Sequence, residues 1–244
     1  QNSVQENVEN INKEYLRFIP EWASFIVGLN TKQYLNIYAD ESLNPNAISL
    51  VNLNLVKYYL RTAGINIYDD VEYVQCAFKN LTYNFENESK FVILVKGNFN
   101  IEHINNTIIK AIKNDYLRIH LYKDNKDKTV TDNTNKYYYK VKDKNITYKF
   151  LSNKKLLITS NDLFENFYKD LLKNEKSNSE INKEFYNHIN KTYTKNGLWS
   201  IYKTSPEFHK MINNEKFYEL FSNMEYISLK ITYPSLNEKI ENNA

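Results

Sequence analysis

The sequence predicts an α+β protein, in which a mixed or antiparallel sheet is packed by helices. Two observations lead to this fold class. Apolar runs rich in β-forming residues repeatedly end at polar residues that favour a helix start, and pairs of such runs without a helix between them predict antiparallel hairpins. The chain has 244 residues, of which 42% are hydrophobic, so it can bury a core in one large domain or two small ones.

A strand-to-helix joint recurs along the chain. In each copy an apolar run meets Asn, Ser, Thr or Asp, which are the residues that cap helix N-termini. In the fourth copy Pro206 follows Ser205, at the position of a first helical residue. The copies are residues 22–38, 90–112, 155–172, 197–212 and, as a candidate fifth, 225–240.

The second joint contains "FVILVKGNFN" (91–100) and raises the question of a phosphate-binding loop, because a strand runs into Gly97 ahead of a helix. A phosphate cradle needs several glycines so that backbone N–H groups can close on the anion. This turn has one glycine among asparagines, and the turns of the other joints have none. The sequence therefore favours a scaffold joint over a phosphate site.

The first half of the chain otherwise alternates between helices and paired strands. Residues 46–64 predict a mostly buried helix that ends near Gly64. Residues 71–85 and 89–99 predict two strands joined by a short turn. Isoleucines recur near helical spacing in residues 100–115, which predicts an amphipathic helix.

The second half continues this pattern. Its predicted elements are, in order, a strand (116–123), a polar loop (124–135), a three-strand meander (136–160, with turns near Lys144 and Asn153) and two helices (162–173 and 179–192). We expect helices to cover one face of the resulting sheet.

The domain organisation follows from these elements. Residues 1–17 are polar and predict an N-terminal lead ahead of one α+β domain over residues 18–244. The alternative is a subdivision near residues 123–136 into two similar strand–helix–hairpin halves, since each half would hold a strand–helix start and a hairpin. A polar lead is common in exported and lipid-anchored proteins, and it is equally common as a segment left when a chain is shortened.

Composition narrows the classes of partner. The net charge is +3 from 32 basic and 29 acidic residues, which are interleaved, so the sequence predicts no nucleic-acid binding. No apolar run is long enough to span a bilayer, so we expect a membrane association only through a lipid anchor. Cys76 is the single cysteine, so it cannot form an internal disulfide, and we expect it to be buried on a strand.

The sequence predicts no catalytic residue, no cofactor and no metal site. The four histidines lack metal-ligand spacing and are expected to be structural; they are His103, His120, His188 and His209. Asp69, Asp70 and Glu72 could do acid–base work, although a solvated loop entering a strand explains them better.

The polar loop and the tyrosines beside it are the candidate interaction surface. The loop carries Asp124, Asp127 and Asp132. Their spacing does not match a calcium-binding loop, because lysines occupy positions where ligands are needed and no glycine makes the sharp turn. Tyr137, Tyr138 and Tyr139 follow in a row, and side chains alternate across a strand, so part of this row should be exposed unless both faces are covered. Exposed aromatic side chains are enriched where proteins bind partners.

Three segments carry a resemblance to a known group of proteins. They are "FIPEWASFIVGLNTKQYL" (18–35), "FVILVKGNFNIEHI" (91–104) and "YKFLSNKKLLITSNDLFENF" (148–167). A Pro-led strand ending in G-L-N, a later V-x-G-x-F strand end and a short meander together resemble exported bacterial lipoproteins and envelope proteins of uncharacterised function. The resemblance covers about residues 18–170. It implies a periplasmic or surface-anchored, non-enzymatic α+β domain, and it carries no catalytic residues.

The sequence therefore favours an exported, non-enzymatic protein, periplasmic or at the cell surface, that acts through contact with a protein partner. Two alternatives stay open. One is a hydrolase-like enzyme with a dispersed site in a cleft between two lobes, and the other is a small-ligand carrier that uses a Tyr-lined surface.

Overall fold

A computed structural model describes eight stretches of the chain. They are residues 13–31, 65–79, 90–113, 119–123, 137–141, 145–173, 183–205 and 224–232. The helix predicted for residues 46–64 and the loop predicted for 124–135 lie outside them.

The described residues form nine strands and five helices. In chain order they are α1 (Lys13–Leu16), β1 (Phe25–Asn30), α2 (Ile67–Asp70), β2 (Val71–Phe78), β3 (Phe91–Gly97), α3 (Ile101–Lys113), β4 (Ile119–Lys123), β5 (Tyr137–Val141), β6 (Thr147–Ser152), β7 (Lys155–Thr159), α4 (Asn161–Lys173), α5 (Lys183–Thr192), β8 (Gly197–Lys203) and β9 (Tyr226–Thr232). None of these helices is long and apolar enough to cross a membrane.

All nine strands belong to one sheet, in the order β4-β5-β6-β7-β3-β2-β1-β8-β9, and each neighbouring pair is antiparallel. The predicted α+β class with an antiparallel sheet and packed helices is therefore confirmed. The predicted meander is present as β5, β6 and β7, and the predicted pair of strands at 71–85 and 89–99 is present as β2 and β3.

Helices cover both faces of the sheet, whereas the sequence analysis expected one. Neighbouring strand residues such as Ile26 and Val27, or Leu94 and Val95, are all buried but belong to separate apolar clusters. Because successive side chains point to opposite faces, a strand that is apolar throughout must be covered on both sides. The expectation of one covered face overlooked the apolar residues that β2, β3 and β7 carry on both faces.

The two faces are named by the helices packed on them. On the α3 face, Ile101 and Ile104 of α3 join a cluster with side chains of β1, β2, β3, β6 and β7. On the α4–α5 face, Phe164 of α4 and Ile189 of α5 join a cluster with other residues of the same sheet. Cys76 is buried at 2% exposure on the α3 face, as predicted.

The packed domain begins before residue 18. Tyr15 and Leu16 of α1 are both 9% exposed and belong to the cluster on the α4–α5 face. The Tyr15 ring stacks on Tyr73 with 5.0 Å between ring centroids, and its carbonyl oxygen accepts a hydrogen bond from Gln75. Tyr15 and Leu16, which were predicted to belong to the polar lead, are therefore part of the core.

Candidate functional site

The outermost strand at one end of the described sheet, β9, exposes apolar side chains. Within the described residues, the large hydrophobic side chains that are exposed are Met224 at 39%, Leu229 at 40% and Ile231 at 39%. All three lie within one eight-residue stretch, and two of them are in β9 itself. Clustered exposed apolar side chains, unlike scattered ones, mark sites of interaction.

Pairing with β8 determines which face these residues occupy. Ile227, Leu229 and Ile231 lie opposite Tyr202, Ser200 and Leu198 of β8, and directly opposed residues of an antiparallel pair share a face. Tyr202 and Ser200 in turn lie opposite Phe25 and Val27 of β1. The row of Ile227, Leu229 and Ile231, here called the edge row, therefore extends the α3 face of the sheet outward.

The other face of β9 is polar beyond its first residue. Tyr226 is covered by α5, because its ring stacks on His188 at 4.2 Å and on Phe185 at 5.8 Å between centroids. Ser228, Lys230 and Thr232 follow on the same face and are exposed. β9 is therefore anchored at its start by α5 and amphipathic along the rest of its length.

The backbone of β9 directs alternate polar groups away from β8. Thr204 donates its N–H to the carbonyl oxygen of Glu225 at 2.9 Å, so Glu225 faces β8 with its backbone groups. In an antiparallel ladder this direction alternates from residue to residue. The N–H and C=O groups of Leu229 therefore face β8, and those of Ser228 and Lys230 face outward. Outward backbone groups of an edge strand are a template for pairing with another strand.

The glycine turn after β3 is occupied by the protein's own backbone. The N–H groups of Gly97, Asn98 and Phe99 donate to the carbonyl oxygens of Lys154, Asp70 and Asn153, at 3.0, 2.8 and 2.8 Å. A Cβ atom at Gly97 would overlap the Asp70 carbonyl, so glycine permits a close approach of two backbones. N–H groups used in this way do not cradle a phosphate, and the turn is a scaffold joint.

The acidic residues before β2, Asp69 and Asp70, lie in the short helix α2 and accept hydrogen bonds from the residue that precedes it. Asp70 accepts a hydrogen bond from the backbone N–H of Asn66 at 2.8 Å, and Asp69 accepts one from the Asn66 side chain. Within the described stretches, no group of three or more His, Cys, Asp or Glu side chains is placed to hold a metal ion.

Of the predicted interaction residues, the structure describes the side chains of Tyr138 and Tyr139. Tyr139 is 1% exposed and stacks on Tyr148 with 4.8 Å between ring centroids. Tyr138 is half-buried against Phe164 at 4.9 Å. Tyr139 therefore offers no exposed ring, because helices cover both faces of the sheet. The side chain of Tyr137 and the residues Asp124, Asp127 and Asp132 lie outside the described residues, so for them the interaction surface stays a prediction.

The two histidines whose side chains the structure describes lie on helices that cover opposite faces of the sheet. His103 is exposed on α3, where its N–H is capped by the Asn100 side chain at 3.0 Å, and His188 packs on Tyr226. The side chain of His120 and all of His209 lie outside the described residues.

The sequence analysis missed β9 as a site, although its sequence carries a signal. In "YISLKIT" apolar and polar residues alternate, which is typical of a half-buried strand. Alternation cannot show whether a strand lies at the centre or the edge of a sheet, because that depends on which strands pair with it.

No protein-family model matches the chain, and neither does any curated protein. Solved structures of TP0453 are similar to it at a low level. Crystal form IV is 11% identical with a TM-score of 0.43, over 82% of this chain and 68% of that one. Crystal form I is 12% identical with a TM-score of 0.42, over 81% and 63%, and crystal form III is 9% identical with a TM-score of 0.44, over 93% and 84%. Similarity at this level gives no information about function.

Proposed function

We propose that the chain is a non-enzymatic, exported protein of the cell envelope, periplasmic or at the surface and held there by a lipid anchor, that acts by binding a protein partner. The contact is made at β9, where the partner adds an extended segment to the edge of the sheet. Such a segment would place apolar side chains beside the edge row and polar or acidic ones beside Lys230. Strand addition of this kind takes affinity from backbone hydrogen bonds and specificity from alternate side chains.

One observation carries the binding part of the proposal. The exposed large hydrophobic side chains of the described residues are concentrated at 224–231, on the outermost strand. Soluble proteins usually blunt an edge strand with charge, proline or a bulge. β9 has one lysine on its polar face and no charge in its edge row, so it leaves an apolar strip beside outward backbone groups.

Export is supported by the resemblance of residues 18–170 to exported envelope proteins. The alternative subdivision of the domain into two similar halves near residues 123–136 stays a prediction. The residues where it would fall, 123–136, lie almost entirely outside the described residues, and the strands on either side pair within one sheet.

In-cell photo-crosslinking tests the contact. A benzoyl-phenylalanine at position 229 should form a discrete covalent adduct with a protein when cells of the source organism are irradiated. The matched control is the same residue at position 98, which is exposed at the end of β3 and far from β9 along the sheet. Equal adduct yields at the two positions, or none at 229, would overturn the proposed contact.

Cell fractionation tests export separately. The full-length gene product should sediment with the envelope, and detergent should release it. Recovery of the protein in the cytosolic fraction, from a gene without a signal sequence, would overturn export while leaving the contact at β9 to be judged by the crosslinks.

A further inference from the structure

The structure points to a second copy of this chain as the partner at β9. We propose that two β9 strands pair antiparallel about a twofold axis that passes through Leu229, so that the two sheets join into one. This inference rests on the proposed function, since it names the partner for the same edge. An interface of this type is isologous, so the strand must be complementary to itself.

The side chains of β9 are complementary to themselves in this register. Leu229 faces Leu229 of the second copy, and Ile227 faces Ile231, so all six side chains of the two edge rows meet on one face. On the other face Ser228 lies opposite Lys230, so no like charges are opposed. Opposed apolar side chains stabilise a strand pair, whereas directly opposed like charges destabilise it.

The backbone supports the same axis. Because the backbone groups of Leu229 face β8, a pair of Leu229 residues would be a non-hydrogen-bonded pair, the type with the closest side chains. The outward N–H and C=O groups of Ser228 would then bond those of Lys230 in the second copy, and the reverse. Pairing about the axis through Leu229 thus gives hydrogen-bond partners to the outward backbone groups and also buries the exposed side chains of the edge row.

The neighbouring registers of the two β9 strands pair their side chains less favourably. An axis through Lys230 places the two lysines directly opposite each other. An axis through Ser228 places Ile231 opposite Glu225 and leaves part of the edge row without an apolar partner. Only the axis through Leu229 pairs all seven residues of β9 with residues of β9.

Sedimentation equilibrium of the purified chain tests self-association. We expect a reversible dimer that Leu229→Lys converts to a monomer. Position 228 supplies a matched pair of opposite sign, because its side chain faces Lys230 of the second copy. Ser228→Glu should tighten the dimer and Ser228→Lys should weaken it, each by about fivefold, since the contact occurs twice. Equal effects of the two substitutions would overturn the register.

Disulfide trapping tests the axis directly. Cα atoms of a non-hydrogen-bonded antiparallel pair are about 4.5 Å apart, within the range of a disulfide. Leu229→Cys should therefore form a covalent dimer on mild oxidation. Ile227→Cys alone should not, because the two residues 227 lie about four positions apart across the twofold, whereas Ile227→Cys combined with Ile231→Cys should. Cys76 is buried and does not compete.

The outcomes separate this inference from the proposed function. A monomeric protein whose position-229 crosslink in cells joins a different protein would overturn self-association and retain the contact at β9. A monomeric protein with no crosslink at position 229 would overturn both. A crosslinked species of twice the chain mass, together with the disulfide pattern above, supports both.

Discussion

The indole N–H of Trp199 donates a hydrogen bond to the hydroxyl of Tyr73 across 3.3 Å, although 126 residues separate the two. Trp199 lies in β8 and Tyr73 in β2, the two strands that flank β1. They meet over Gly28 of β1, which has no side chain to keep them apart. The Tyr73 hydroxyl lies 3.4 Å from the side-chain oxygen of Gln75, so this buried polar group joins β2 to β8 across β1 on the α4–α5 face.

Removing the Tyr73 hydroxyl should destabilise the fold. Tyr73→Phe leaves the buried indole N–H and the Gln75 oxygen without this partner, so we expect the free energy of unfolding to fall by about 1–3 kcal/mol. Urea denaturation followed by tryptophan fluorescence measures the change. The control is Tyr186→Phe on the partly buried face of α5, which should change stability by less than about 0.5 kcal/mol. Equal changes in the two variants would contradict a structural role for the hydroxyl.

Gly28 should tolerate no side chain. A Cβ atom there would overlap the Trp199 indole and the Tyr73 hydroxyl, so Gly28→Ala must displace a fully buried tryptophan. Overpacking of this kind costs about 1–3 kcal/mol. The emission of Trp199 should shift, and the midpoint of thermal unfolding should fall. Asn187→Ala at an exposed position of α5 is the control. A Gly28→Ala variant as stable as this control would refute the close approach.

The stacked pair Tyr139 and Tyr148 should respond in opposite directions to loss of a hydroxyl. The Tyr139 hydroxyl donates to Asn105, whereas the Tyr148 hydroxyl is buried and has no hydrogen-bond partner among the described residues. Burial raises the pKa of Tyr148 well above its usual value, because the charged form of the hydroxyl is disfavoured in apolar surroundings. Tyr148→Phe should therefore leave stability unchanged or raise it by about 1 kcal/mol, and Tyr139→Phe should lower it by a similar amount. Chemical denaturation of both variants measures these changes. A larger loss of stability in Tyr148→Phe than in Tyr139→Phe would show that the Tyr148 hydroxyl has a hydrogen-bond partner.

Cys76 should make the fold sensitive to alkali. Burial raises the pKa of its thiol from 9.0 to about 12, so above pH 9 the unfolded chain loses a proton that the folded chain keeps. The stability that this thiol contributes is complete below pH 9 and is lost as the pH rises towards 12. Between pH 9 and 10 the free energy of unfolding should fall less steeply for Cys76→Val than for the unaltered chain.

The same burial predicts that the native thiol reacts slowly. At pH 8 a disulfide reagent should modify Cys76 only after urea unfolds the chain. Rapid modification of the native protein would show that the strand opens locally and would contradict the expected burial.

Local patterns in the sequence were sufficient to predict the elements. The helical spacing of isoleucines predicted α3, and the turn predicted near Asn153 lies between β6 and β7. The apolar setting of Cys76 predicted its burial. These predictions succeeded because caps, turns and periodicity depend on residues within a few positions of each other.

Local sequence patterns were therefore enough to predict the α+β class, the meander and the scaffold role of the turn at Gly97. The burial of Tyr139 and the place of the edge row on the outermost described strand became evident only in the folded structure. Strand order, and with it the position of β9 at an edge, results from contacts between residues far apart in the chain. The alternation in "YISLKIT" is the same at the centre and at the edge of a sheet, so no local pattern contains that information.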